Sequence, residues 1–194
     1  ALGDARAAAR LAESGALATL HRIVEFPSLF ELFEVDGGGG HASIATAGRD
    51  PGFVLHHRDP AACPFVSDEI RHLGFYDGAK SARILALLRA SEPLEVFLDV
   101  GAHIGWFAFL AASAGFPAVA VEPFPTNVDL LRRTQAANPT LDVTVEPVAA
   151  VRAEDAPAPR CLRADAGNAG NAAFAPCARD GGAAVPTATL DAIL

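Results

Sequence analysis

Apolar and polar positions fall into blocks of two kinds along this chain. Val96–Val100 (VFLDV) and Ala118–Val121 (AVAV) are short, nearly unbroken apolar runs, the pattern of buried strands. Between them Phe107, Leu110, Ala111 and Ala114 recur at i, i+3, i+4 and i+7, which predicts a helix over Ile104–Ala114. Gly115 and Pro117 stop it. Strand, turn with Gly101 and Gly105, helix, and a second strand ending in Glu122 predict a right-handed βαβ unit, hence an α/β fold. Asn127–Ala137 reads as the next helix, with Thr126 as its cap and Val128, Leu131 and Gln135 on one side. Asp142–Val145 predicts a third strand, which Val148–Val151 prolongs past Pro147.

Ahead of this unit, Ala5–Leu20 reads as an Ala-rich helix and Ser28–Val35 as a strand. A turn over Asp36–Gly40 lets His41–Thr46 pair back as a hairpin, and Gly52–His57 adds a third short strand. The glycine run is no phosphate loop, because no Lys-Ser/Thr pair follows it. Ser67–Leu73 reads as a short helix, with Ser67 as N-cap and Asp68 and Glu69 in its first turn. Ala79–Ala90 is amphipathic, with Ile84, Leu87 and Leu88 on one face. Beyond the third strand, Arg152–Pro186 is rich in Ala, Pro, Gly and Asn and reads as a long irregular excursion. Val185–Leu190 is expected to be a strand and Asp191–Leu194 the start of a turn or helix.

The charge on the central loop narrows its ligand. A dinucleotide loop needs G-x-G-x-x-G, whereas Gly101 and Gly105 make only G-x-x-x-G. Asp99, two residues before the first glycine, would repel a pyrophosphate and welcome a cation. Glu122 ends the second strand, where a carboxylate accepts hydrogen bonds from ribose hydroxyls. S-adenosylmethionine carries an ammonium, a sulfonium and a free ribose, so the pattern favours it over NAD.

The same residues carry a family resemblance. LDVGAHIGWFAFLAA followed by VAVEPFPTNVDLLRRTQAANP resembles the FkbM family of S-adenosylmethionine-dependent methyltransferases. FVSDEIRHLGFYDG (Phe65–Gly78) is similar to the family's lead-in, and VPTATLDAIL (Val185–Leu194) to its V-x-T-x-TLD segment. The resemblance implies a Rossmann-like class I methyltransferase sheet with helices on both faces. It divides the chain into an N-terminal extension, residues 1–64, and a cofactor-binding domain, residues 65–194. It also implies cofactor contacts from Asp99, Gly101, Ala102, His103, Gly105, Glu122, Pro123 and Phe124. Position 103 is more often Asn in the family; either residue can hydrogen-bond. Glu69, Arg71 and Tyr76 are expected beside the pocket, Val148–Ala150 near the adenine, and Gly167–Phe174 resembles the substrate-side loop. The implied reaction is methyl transfer to a hydroxyl of a sugar or natural product. No residue is identified as its base, though His103 and His72 lie nearest. Family members continue into another central strand ending in a DVEG-like motif. This chain stops before it and has no Met, so it reads as truncated before the fourth central strand.

Composition sets the outer limits. A hydrophobic fraction of 51% suffices for a real core, and a net charge of −8 argues against a nucleic-acid partner. No apolar run approaches a membrane span. The partner that the resemblance implies is a small-molecule hydroxyl acceptor, and self-association into a homo-oligomer stays open. Cys63, Cys161 and Cys177 fit neither a disulfide framework nor a zinc pattern, so they read as free thiols in a cytoplasmic protein. His56 and His57 are adjacent on a strand, point to opposite faces, and read as a solvated edge rather than a metal site. Two competing readings are a non-catalytic or truncated methyltransferase-like binding domain, and an NAD-dependent oxidoreductase, which lacks its third glycine.

Overall fold

The computed structural model describes residues 30–36, 42–48, 52–58, 63, 65–73, 75–90, 96–156, 160–165, 168–175, 177 and 183–194. The helix expected over Ala5–Leu20 and the Gly37–Gly40 part of the turn lie outside the described residues. Strands β1 (Phe30–Asp36), β2 (Ala42–Gly48) and β3 (Phe53–His56) form an antiparallel sheet in that order. Phe30 stands opposite Gly48 and Asp36 opposite Ala42, the expected hairpin with its ends moved by one or two residues. The sheet does not end in a solvated histidine edge, because His57 is fully buried with Nδ1 2.5 Å from the Arg58 carbonyl oxygen.

Helix α1 (Ser67–Leu73) begins at Ser67 and is not capped by it. The Ser67 N–H donates to the Cys63 carbonyl at 3.2 Å, and its buried hydroxyl has no partner among the described residues. Helix α2 (Gly78–Ala90) buries Ser81, Ala82, Leu85 and Leu88, while Leu87 is 61% exposed. The expected face is therefore rotated. Trp106 supplies the reason: its indole N–H donates to the Ser81 hydroxyl at 2.8 Å, which draws the small side of α2 inward.

Three parallel strands then make the centre. They are β4 (Phe97–Val100), β5 (Ala118–Val121) and β6 (Val143–Glu146), in that order, joined by α3 (Trp106–Ser113) and α4 (Pro125–Ala137). The register runs Phe97 to Ala118 to Val143 and Val100 to Val121 to Glu146, so all three carboxyl ends open on one side. This is a Rossmann-like α/β arrangement. Thr126 does not cap α4: Phe124 holds the N-cap position and Pro125 enters the first turn, where a missing N–H costs nothing.

Val148–Val151 does not extend the central sheet. Its Ala149–Ala150 core forms β7, in a different sheet. Arg152–Pro186 is not irregular either. After a turn of 3-10 helix at Ala153–Asp155, β8 (Arg160–Asp165), β9 (Asn168–Ala175) and β10 (Ala183–Val185) form an antiparallel sheet, order β10-β8-β9. Pro186, which has no N–H to give a ladder, separates β10 from β11 (Thr187–Ala188), which runs parallel to β7; α5 (Leu190–Ile193) follows. Cys161 and Cys177 are joined by a disulfide, which overturns the free-thiol expectation for both; buried Cys63 is the free cysteine. The register explains the pair: Cys161 faces Ala175, and the chain needs only two more residues to bring Cys177 alongside.

One main core joins these layers. Phe53 and Leu55 of β3, Ile70 of α1, Leu85 of α2, Phe109 of α3 and Leu131 of α4 are buried in it together. A second, small cluster of Ala149, Leu162 and Val185 packs against Phe124. No helix among the described residues is long and apolar enough to cross a membrane.

Candidate functional site

Because Val100 and Val121 are register partners, the loop after β4 and the acid after β5 meet at the same end of the sheet. The loop is tied back to β5. The N–H groups of Gly101 and Ala102 donate to the Val121 carbonyl at 2.8 and 3.0 Å, and that of Gly105 to the Ala102 carbonyl at 2.7 Å. This path needs φ of 81° at Gly101, 53° at His103 and 91° at Gly105. A Cβ on Gly105 would stand 2.4 Å from Leu131 Cδ2 and 2.9 Å from Phe109 Cδ2, so Gly105 lets α3 approach α4. Gly101 has open space around it. His103 shares with Asn a tolerance of the left-handed region.

Glu122 is buried at 6% exposure, yet lines a cavity of about 300 Å³. Its Oε2 accepts the His103 N–H at 2.8 Å. Its Oε1 accepts the Phe124 N–H at 2.9 Å and the Asn127 Nδ2–H at 3.3 Å. A carboxylate has about four acceptor positions, so one is left over. Burial raises the Glu122 pKa, and these three donors and the Arg58 charge oppose the rise.

Asp99 takes a different place. Its Oδ2 accepts the Ala108 N–H at 3.1 Å, in the first turn of α3, and it does not line the cavity. Burial pushes its pKa up to about 6, against the Ala108 bond and with the Glu122 charge. Burial, then Arg58, push His103 down to about 4, and its buried Nε2 has no partner among the described residues.

Gly101, His103, Glu122 and Pro123 share the cavity wall with Val148, Ala149 and Ala150, the segment expected near the adenine. Leu162, Ala173 and Phe174 of the β8–β9 hairpin close its other side. Ala102 instead lines an adjoining cavity of about 220 Å³ with Gly101, His103, Tyr76, Trp106 and Phe107. Gly105 and Phe124 line neither, and Phe124 packs on the second cluster with the Arg58 guanidinium 5.8 Å from its ring centre. Glu69 is engaged away from both cavities, accepting the Asp77 N–H at 3.0 Å. The side chains of Arg71 and His72 lie outside the described residues.

Sequence reasoning missed Arg58 and Asn127. Arg58 Nη2 donates to Asn127 Oδ1 at 2.7 Å and to Thr126 Oγ1. Arg58 carries no motif, and Asn127 stands within the stretch that resembles the family, where no role was assigned to it.

No family model matches this chain, and no curated protein does. Among solved structures, it is similar to wild-type Trm5b from Pyrococcus abyssi, with 17% sequence identity over 60% of this chain and a TM-score of 0.37. The match spans 35% of that structure.

Proposed function

We propose that the cavity beside Glu122 binds S-adenosylmethionine, and that the chain is an FkbM-like methyltransferase acting on a hydroxyl of a small molecule. The observation that carries this is Glu122 itself: a buried carboxylate at the end of the second parallel strand, on the wall of a cavity, with one acceptor position left. That position suits a ribose hydroxyl. Asp99, at the end of β4, supports a nucleoside over a dinucleotide. In pyrophosphate-binding folds the anion occupies the N-terminus of the helix after the loop. Here Asp99 already accepts from that end of α3.

When bound, the cofactor supplies the methyl group. The protein's part is to hold and align. Gly101 admits a ligand close to the main chain, Glu122 fixes the sugar, and Val148–Ala150 give an apolar wall for a base. His103 lines both adjoining cavities, and its backbone N–H is already committed to Glu122. A further cavity, about 490 Å³, shares Val100, Ala150 and Phe174 with the first and is rimmed by Arg152, Asp155 and Arg160. It suits a partly apolar acceptor with polar groups. Alignment of that acceptor is the main catalytic demand.

One observation favours a second reading, a domain that binds without turnover. His103, with a pKa of about 4, is a poor base at neutral pH, and no other histidine lines these cavities among the described residues. Calorimetry with S-adenosylmethionine and S-adenosylhomocysteine tests the cofactor. A saturable heat that Glu122→Ala weakens at least about tenfold supports it, the worth of one charge-assisted hydrogen bond. No heat at millimolar ligand overturns it. Transfer of labelled methyl to a panel of sugar and phenolic hydroxyls then separates the two readings, since binding without transfer selects the second.

A further inference from the structure

We propose that Arg58 is a positioning residue for Glu122: it holds the Asn127 amide by its oxygen, so that the amide nitrogen must face the carboxylate. The inference rests on the reading of Glu122 as the group that accepts a ligand hydroxyl.

The chemistry of the three side chains forces the order. A guanidinium only donates, so Arg58 Nη2 selects Asn127 Oδ1, at 2.7 Å. The other end of the amide, Nδ2, is then left to donate to Glu122 Oε1 at 3.3 Å. Turned the other way, the amide would set an oxygen against a carboxylate oxygen, with two acceptors and no proton between them. Asn127 is 2% exposed, so that mismatch would be costly. The guanidinium is itself held by the Thr126 hydroxyl and by the face of Phe124, 5.8 Å from the ring centre. Arg58 thus reaches from the end of β3 to three positions at the start of α4.

The electrostatics point the same way. The charged groups that act on Glu122 or are acted on by it are Arg58 from the β3 side and Asp99 at the end of β4, while His103 reaches it through its backbone N–H. Asp99 repels it, and His103 is neutral above about pH 4. Arg58 is the cation among them, set against a carboxylate that burial disfavours.

The test uses the full chain and two readouts. The Glu122 carboxyl is titrated by carbon-13 NMR without ligand, and S-adenosylhomocysteine affinity is measured from about pH 5 to 8. Arg58→Ala is expected to raise the Glu122 midpoint by about one unit, the low end of what a nearby cation confers. It should also weaken the ligand about tenfold, most strongly on the acid side. Arg58→Lys should restore the midpoint but not the affinity, since an ammonium supplies charge without the planar fork. Asn127→Ala removes the donor to Glu122 without adding a charge, and should raise the midpoint with Arg58 intact. It serves if Arg58→Ala fails to fold. A Glu122 midpoint within a few tenths of a unit of the parent in any variant that removes the Arg58 charge or the Asn127 donor overturns the proposal. If the parent binds no S-adenosylhomocysteine while the midpoint still moves, the cofactor reading falls and the positioning role stands.

Discussion

Asp99, at the end of β4, and His103, on the loop that follows, pull stability in opposite directions with pH. The Asp99 carboxyl, ordinarily at 3.8, is raised to about 6, so its contribution is whole below 3.8 and is lost as pH rises through about 6. The His103 imidazole, ordinarily at 6.5, is lowered to about 4, so its contribution is whole above 6.5 and is lost as pH falls through about 4. Each shift corresponds to about 3 kcal/mol across nearly the same window, with opposite sign. Asp99→Asn keeps an acceptor for the Ala108 N–H, and should make stability climb between about pH 4 and 6.5. His103→Asn keeps a residue that tolerates positive φ, and should make stability fall over that window. The parent should be flatter than either, and urea denaturation at several pH values checks all three; parallel curves would refute the assignment. Glycine gives a sharper contrast. Gly101→Ala meets only the left-handed backbone and should cost about 1 kcal/mol. Gly105→Ala also drives a Cβ into Leu131 and Phe109, and should cost about 2–4 kcal/mol by the same denaturation. Gly101, Gly105 and Glu122 were legible because a strand, a turn and a strand-end acid leave a sequence pattern. That Asp99 faces α3 and not the cavity was not legible, because facing is decided by which N–H lies nearest in space.

At the scale of elements, the central unit was readable and its surroundings were not. β5 falls at its expected residues and β4 and β6 within one, since Val- and Leu-rich runs have few other uses. Strands β9 and β10 are built largely on Ala, with Asn and Gly in β9, and β8 mixes Arg and Asp with Cys, Leu and Ala; these carry little strand preference and were read as loop. What fixes them is long-range: the Leu162–Phe174 register and the Cys161–Cys177 bond. A cysteine spacing of 16 announces nothing until the hairpin forms. The bond closes a loop worth about 3 kcal/mol by chain entropy, and the hairpin contributes Leu162, Ala173 and Phe174 to the cavity. Reduction by a dithiol, or Cys161→Ser with Cys177→Ser, should therefore speed amide exchange in β8 and β9 and leave β4 to β6 unchanged. Hydrogen-exchange mass spectrometry reads this by segment. Equal loss of protection in both sheets would mean that the bond holds the whole fold and not the hairpin.

At the scale of the whole molecule, one asparagine joins the β1–β3 sheet to helix α4. Asn138, at the end of α4, accepts the Val54 N–H at 2.8 Å and donates to the Val54 carbonyl at 2.7 Å. Its amide does for β3 what a neighbouring strand would do, and Thr134 Oγ1 extends the pairing by accepting the His56 N–H at 2.9 Å. The seam is sealed by Phe53, whose ring centre lies 5.4 Å from Trp106 and 6.0 Å from Phe109. Asn138→Ala would strand both main-chain groups of Val54 in a half-buried place, at about 1–3 kcal/mol for each group left unpaired. The consequence is more than a lower melting point, because Arg58 leaves the same strand and reaches Asn127 from it. Trp106 is the single tryptophan and touches the seam, so its fluorescence reports on the joint directly. The parent should unfold in one fluorescence transition. Asn138→Ala should show an earlier change in Trp106 emission, as β3 leaves α4, followed by loss of the central sheet seen by circular dichroism. It should also raise the Glu122 midpoint in the same direction as Arg58→Ala, since the guanidinium loses its anchor strand. A single coincident transition with an unmoved Glu122 midpoint would mean that β3 is held by its apolar contacts alone and that the asparagine merely caps a helix.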